Sequence, residues 1–286
     1  MVCILPGSRI VPNARKLARI NDNADLGTHR APLQFRMQSY LLIIAAGFGA
    51  GFVNAIAGGG TLLTFPALLY CGMASITANA TSTVAIWPGS LTSSWAYRRQ
   101  LRENRQRVWI LSLPSLLGGI AGAALLLNTP EKLFRFIVPY LILLACGLLM
   151  AQEPIGRWMT ARAETHPRKH AVALWLTQFA IAVYGGYFGA GIGILMLAAM
   201  AIFLPEDLQA ANGMKNFFAV LINGVAAVYF IVAGAAVLHV AAIMVGAAIL
   251  GGFVGARTAQ RLSPRLLRAA VVAFGLIVAV RLMLQS

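Results

Sequence analysis

The sequence predicts an all-α, polytopic membrane protein, and three observations carry that prediction. Charge is scarce: 11% of the 286 residues are charged and 59% are hydrophobic, whereas soluble domains carry roughly 25% charged residues. The scarcity is concentrated in runs. No Asp, Glu, Lys, Arg or His occurs in 40–97, 108–130, 136–152 or 171–205, and only Lys215 and His239 interrupt 208–256. A spanning helix needs about 20 mostly apolar residues, so these runs are long enough to cross a bilayer. The runs also lack the polar/apolar alternation of a barrel, which leaves helices as the way to satisfy every backbone group in hydrocarbon.

Ten helical segments follow, near 39–57, 61–73, 79–97, 108–128, 133–151, 171–189, 192–204, 212–235, 237–256 and 266–284. Residues 1–36 are basic and polar. They hold no continuous apolar stretch ahead of a small-residue cleavage site, so they read as a disordered tail or an early-assigned start rather than a signal peptide. The second and seventh segments hold only about 13 residues. At 1.5 Å per residue that is about 20 Å, too short for a ~30 Å core. Each follows a Gly-rich break: Ala57-Gly58-Gly59-Gly60 in one case, Gly189-Ala190-Gly191-Ile192-Gly193 in the other.

The two breaks are related. Sliding the chain by 133 residues sets Ala57 on Ala190, Gly58 on Gly191, Gly60 on Gly193, Leu62 on Leu195, Ala78 on Ala211 and Asn79 on Asn212. Short, Gly-interrupted segments at matching places in two halves point to a transporter's binding site. The expected organisation is a tail (1–36), a first membrane repeat (37–151), a cytoplasmic linker (152–170) and a second membrane repeat (171–286). Five segments per half make the repeats inverted. The net charge of +15 fits this arrangement better than it fits nucleic acid. Arg98, Arg99, Arg102, Arg105 and Arg107 share one loop, and Arg257, Arg261, Arg265 and Arg268 another, while 153–170 also leans basic. Placing all three in the cytoplasm satisfies the positive-inside rule. Both termini then face outward, and the location is a bacterial inner membrane, with the lipid bilayer as partner. Self-association is compatible with this architecture.

The stretch Gly51-Phe-Val-Asn-Ala-Ile-Ala-Gly-Gly-Gly-Thr61, then Pro66, then Tyr97-Arg-Arg-Gln-Leu101, resembles the first half of the sulfite exporter TauE/SafE family, also called the 4-toluene sulfonate uptake permease family. Tyr184-Gly-Gly-Tyr-Phe-Gly-Ala-Gly-Ile-Gly193 and Ala211-Asn-Gly-Met-Lys-Asn216 are similar to its second motif. The resemblance runs from Met37 to the C-terminus. It implies a membrane transporter of sulfite, sulfonates or related organic anions, with export slightly favoured over uptake. Many members carry an acid where this chain has Asn54, which counts against a cation-coupling role at that position.

Read from the residues alone, a break exposes backbone groups that only protein or a wet cavity can receive. The half-helix after it offers a partly positive N-terminus suited to an anion. The candidate substrate-binding residues are therefore Gly58, Gly59, Gly60 and Thr61 at the first break. At the second they are Gly191, Ile192 and Gly193, with the amides extending to Ile194. Against this stands simple close packing by small residues. Asn79 and Asn212 open the next segments, where N-capping is the alternative role. Ser82 and Thr83 follow the first, and Lys215 and Asn216 the second. A cation within a span costs about 2.5–3.5 kcal/mol, so Lys215 is a functional candidate unless it snorkels to the interface. Ser82 is its neutral counterpart. Asn54, Tyr184, Ser90 and Asn223 are weaker wall candidates.

All eight acids lie outside the apolar spans. Proton and sodium coupling usually uses intramembrane carboxylates or histidines. The expectation is thus facilitated diffusion of an anion, or a proton carried on the substrate or on Lys215. No zinc-ligand spacing, phosphate loop or nucleophile–base pair occurs, so neither cofactor, metal nor enzymatic activity is expected. An anion channel is one alternative. A non-transporting assembly or redox factor using Cys71 and Cys146 is another, although buried hydrophobes are the commoner use of such thiols.

Overall fold

The structure, a computed structural model, describes residues 37–56, 59–162, 171–204, 208–258 and 264–284. The expected tail, 1–36, lies outside them. Among the described residues every regular element is a helix: α1 (Met37–Ile56), α2 (Thr61–Tyr70), α3 (Ser75–Ala96), α4 (Arg98–Glu103), α5 (Arg105–Asn128), α6 (Glu131–Arg162), α7 (Ala171–Tyr187), α8 (Ile192–Phe203), α9 (Leu208–Val232), α10 (Leu238–Thr258) and α11 (Pro264–Met283). The chain is an all-α, polytopic membrane protein. Six of these helices, α1, α5, α6, α9, α10 and α11, are long and apolar enough to cross a bilayer. Leu133, Phe136, Tyr140 and Leu144 form an exposed apolar stripe on α6, as a lipid-facing helix should. The short helices fall where the breaks predict them. At 10 residues for α2 and 12 for α8, they span only about 15 and 18 Å at the helical rise.

Three boundaries differ from expectation. The segment near 133–151 continues through Pro154 to Arg162, so much of the 152–170 linker is helical. Glu153 supports that extension by pairing with Arg157 at 3.6 Å, one turn on, and with Arg268 of α11 at 3.3 Å. A short basic helix, α4, replaces the loop after Tyr97. The segments near 79–97 and 212–235 begin earlier, at Ser75 and Leu208. Asn79 and Asn212 therefore sit in the second turn of α3 and α9, and the N-cap role is excluded. The N-terminus of α3 is capped instead from α6. The Glu131 carboxylate accepts the Ser75 and Ile76 amides, the latter at 3.2 Å, placing an anion where the helix dipole favours one.

α3 is long but too polar to count as a simple span. It packs on α2, α6, α9 and α10, and Ser75, Asn79, Thr81, Ser82 and Ser94 on it are buried. Its hydroxyls find partners: Thr83 Oγ1 donates to Asn79 O at 3.0 Å, and Thr81 Oγ1 accepts the Val237 amide at 3.0 Å. At the α3–α9 crossing, Trp87 lies over Gly224 and donates to Val220 O at 3.1 Å. That use of Trp87 is packing.

The closest helix approaches are made by glycine. On α5 against α7, a Cβ at Gly118 would lie 2.6 Å from Phe179 O, and one at Gly122 or Gly186 would collide with Val183 O or Gly119 O. On α1 against α10, a Cβ at Gly51 or Gly251 would collide with Ala248 O or Phe48 O. Shifting Gly118 and Gly119 by 133 gives Gly251 and Gly252. The same shift carries the α5–α7 pair onto α10–α1, and α2–α3 onto α8–α9. Both pairings exist in the structure.

Candidate functional site

The second break is a built turn. α7 ends at Tyr187, and the amides of Phe188 and Gly189 both donate back to Tyr184 O, at 2.9 and 3.2 Å. The Tyr184 hydroxyl then reaches over the turn to donate to Ala190 O at 2.7 Å. Gly189 and Gly191 take φ of +80° and +79°, a left-handed conformation that Gly adopts without penalty. Gly191 is the N-cap of α8 and has no side-chain cap bond. Its amide and that of Gly193 have no protein acceptor among the described residues, the usual state of a helix's first N–H groups.

Other elements converge here. From α9, the Lys215 stem lies over Gly193: a Cβ there would be 3.0 Å from Lys215 Cδ and 3.4 Å from Cγ. The Lys215 ammonium donates to Asn212 Oδ1 at 3.0 Å. Asn79, fully buried on α3, donates through Nδ2 to Tyr187 O at 3.0 Å. Its Oδ1 is buried without a partner. Asn223 Oδ1 stands 3.5 Å from where a Cβ of Gly189 would be. Phe65 of α2 packs edge-on against Phe188, with ring centroids 5.5 Å apart. Eight sequence candidates thus meet around one turn: Tyr184, Gly191, Ile192, Gly193, Asn212, Lys215, Asn223 and Asn79.

The first break is built differently. Ala57 and Gly58 lie outside the described residues. Gly59 has φ +92° and sits against Leu149. The Gly60 amide, expected to face an anion, donates to Asn54 Oδ1 at 2.8 Å. Ser82 is fully buried, and its hydroxyl is 2.6 Å from Thr64 Oγ1. Thr64 also contacts Gly60 O and Thr61 O, each at 3.4 Å. The hydroxyl that stands in the register of Lys215 is therefore spent on an internal bond between α2 and α3. Ser90 and Asn216 are partly buried and make no contact with either turn among the hydrogen bonds described. Neither the Thr64 bond that ties α2 to α3 nor the packing of Phe65 on the second turn was legible in the sequence. The only hint was a hydroxyl three positions after Thr61 inside an apolar half-helix.

The two cysteines of the redox alternative are free. The Cys71 and Cys146 thiols are not joined, and each lies 3.8 Å from a backbone carbonyl, Ser39 O and Val272 O respectively. Among the described residues no group of His, Cys, Asp and Glu could hold a metal ion.

Comparison with known proteins places this geometry in context. The family model described as Sulfite exporter TauE/SafE matches residues 43–282. A probable membrane transporter protein of Haemophilus influenzae is 28% identical over 235 residues, covering 81% of this chain and 89% of its own. A second, ORF9 of a Sinorhizobium species, is 27% identical over 252 residues, covering 88% and 94%. A third, YfcA of Escherichia coli K12, is 23% identical over 238 residues, covering 83% and 87%. No solved structure matches.

Proposed function

The chain belongs to the sulfite exporter TauE/SafE family of membrane transporters, and from that premise we propose that it is a secondary carrier of small anions, sulfite or an organosulfonate, working by alternating access. One observation carries the anion reading. A lysine of a membrane helix lies on the N-terminus of a half-helix, its ammonium held by Asn212 rather than by a carboxylate. A fixed cation and a positive helix end together favour an anion. The packing of the Lys215 stem on Gly193 supports an inward-facing role over snorkelling.

Two inverted repeats, 37–151 and 171–286, are the framework of this reading. Its support is the pairing of contacts under the 133-residue shift, in which the first segment of each half packs on the fourth segment of the other. Rocking of one half against the other about the breaks gives access to each side in turn. The basic termini of α4, α10 and α11 then face the cytoplasm of a bacterial inner membrane. Coupling to Na⁺ is not part of the proposal. Among the described residues Glu131 caps α3, Glu153 pairs with Arg268 and Glu103 pairs with Arg99, so none is offered to a cation at depth.

A thermal-shift screen of the purified protein tests the substrate class. Sulfite, thiosulfate, sulfate, sulfoacetate, taurine and acetate are compared at constant ionic strength. At least one sulfur oxyanion or sulfonate should raise the unfolding temperature. A flat response to all of them contradicts the proposal.

A further inference from the structure

We propose that the protein holds one anion site, in the second break alone, and that this site selects monovalent oxyanions over divalent ones. The inference rests on the transport reading above and names the substrate class of the same site. Its first support is the asymmetry of the breaks. At the first, the Gly60 amide is occupied by Asn54, and Ser82, the counterpart of Lys215, is sealed against Thr64. No Lys, Arg or His occurs between residues 40 and 97 to add positive charge there. At the second, the Gly191 and Gly193 amides have no protein acceptor among the described residues, as is also true of Gly59 and Thr61 at the first, but only here does a lysine stem lie on the half-helix, at Gly193.

The second support is charge balance. No carboxylate lies in α7, α8 or α9, the helices that form the site. Among the described residues the one charged side chain of these three helices is the Lys215 ammonium, to which a helix N-terminus adds roughly half a unit. A monovalent anion nearly neutralises this. A divalent anion leaves excess negative charge in a low-dielectric interior, where an uncompensated ion costs several kcal/mol. Doubling the anion's charge doubles its attraction to Lys215, but desolvation rises with the square of the charge. Selection against the dianion follows from there being one lysine and not two.

Equilibrium dialysis of the full-length protein in detergent tests this, using labelled methanesulfonate and labelled sulfate at one pH and ionic strength. These ions are similar in size and differ in valence. Methanesulfonate should bind at one per chain and about tenfold or more tighter than sulfate, a gap of about 1.4 kcal/mol or more. Lys215→Met should weaken methanesulfonate about tenfold, while Lys215→Arg, which keeps the charge, should retain the preference for the monovalent ion. Thr64→Val, at the first break, should leave affinity within about twofold, a change of under 0.5 kcal/mol. Sulfate binding as tightly as methanesulfonate, or two ions per chain, overturns the inference while leaving an anion carrier intact. So does a loss in Thr64→Val equal to that in Lys215→Met. Absence of binding by either ion, together with a flat thermal-shift screen, overturns the transport reading itself. If Lys215→Met does not fold, the wild-type stoichiometry and valence ratio still decide.

Discussion

At the scale of single residues, the proposed site divides polar side chains that hold structure from those that would serve an anion. Thr64 and Ser82 belong to the first kind. Their hydroxyls meet at 2.6 Å in a fully buried setting, and replacing one leaves the other unsatisfied, at a cost of about 1–3 kcal/mol. Thr64→Val should therefore lower the detergent-solubilised unfolding temperature. Asn212 belongs to the second kind. In the proposed site it is a positioning residue: it accepts a hydrogen bond from the Lys215 ammonium, whose stem lies on Gly193. Asn212→Leu should weaken methanesulfonate several-fold yet preserve its advantage over sulfate, because the lysine remains. Loss of the valence preference in that variant would show that Asn212 contributes more than position. The sequence singled out Lys215 and both asparagines, since polar residues in an apolar run are conspicuous. It set the asparagines at helix starts, with capping as the alternative to substrate binding, because a helix start in a Ser/Thr/Ala-rich stretch carries no sharp signal; α3 and α9 begin earlier, at Ser75 and Leu208. It also missed that Ser82 is satisfied, because its partner Thr64 is 18 residues away and only the fold of α2 onto α3 brings them together.

At the scale of helices, close approach governs. Gly122 and Gly186 let α5 and α7 touch backbone to backbone, and Gly51 and Gly251 do the same for α1 and α10. In membranes such small-residue contacts carry much of the association. Gly122→Ala should destabilise the protein by about 1–3 kcal/mol, since an added methyl forces the pair apart. Gly147 on α6 faces open space, so Gly147→Ala should be neutral or stabilise by up to about 1 kcal/mol through helix propensity alone. Unfolding temperatures of the two variants check this contrast, and equal effects would contradict it. The helices themselves were largely legible, because uncharged runs of spanning length admit few other readings. The continuation of α6 through Pro154 to Arg162 was not. Its support, the Glu153–Arg268 pair, joins residues 115 apart.

At the scale of the whole molecule, the proposed transporter has two related halves whose breaks differ in charge, Lys215 standing at one and Ser82 at the other. The inverted arrangement predicts sidedness. Arg99 is exposed on α4, so Arg99→Cys should react with a membrane-impermeant thiol reagent only from the cytoplasmic side. Ala235→Cys, between α9 and α10, should react only from the opposite side. Labelling of both from one side would contradict inversion. The proposed repeat rests on Gly and Asn matches in a single register, and no such match discloses the inequality of the two breaks. The first break is neutralised by bonds from Asn54 and Thr64, whose directions no spacing reveals.

The most direct test of the central claim is counterflow in proteoliposomes. Vesicles containing the protein are loaded with unlabelled sulfite, and uptake of labelled sulfite is followed without any imposed Na⁺ gradient. A carrier with its site at the second break should show saturable uptake stimulated by internal sulfite, and Lys215→Met should abolish most of it. Uptake that is linear with concentration and indifferent to internal sulfite, or undiminished by Lys215→Met, would contradict the account.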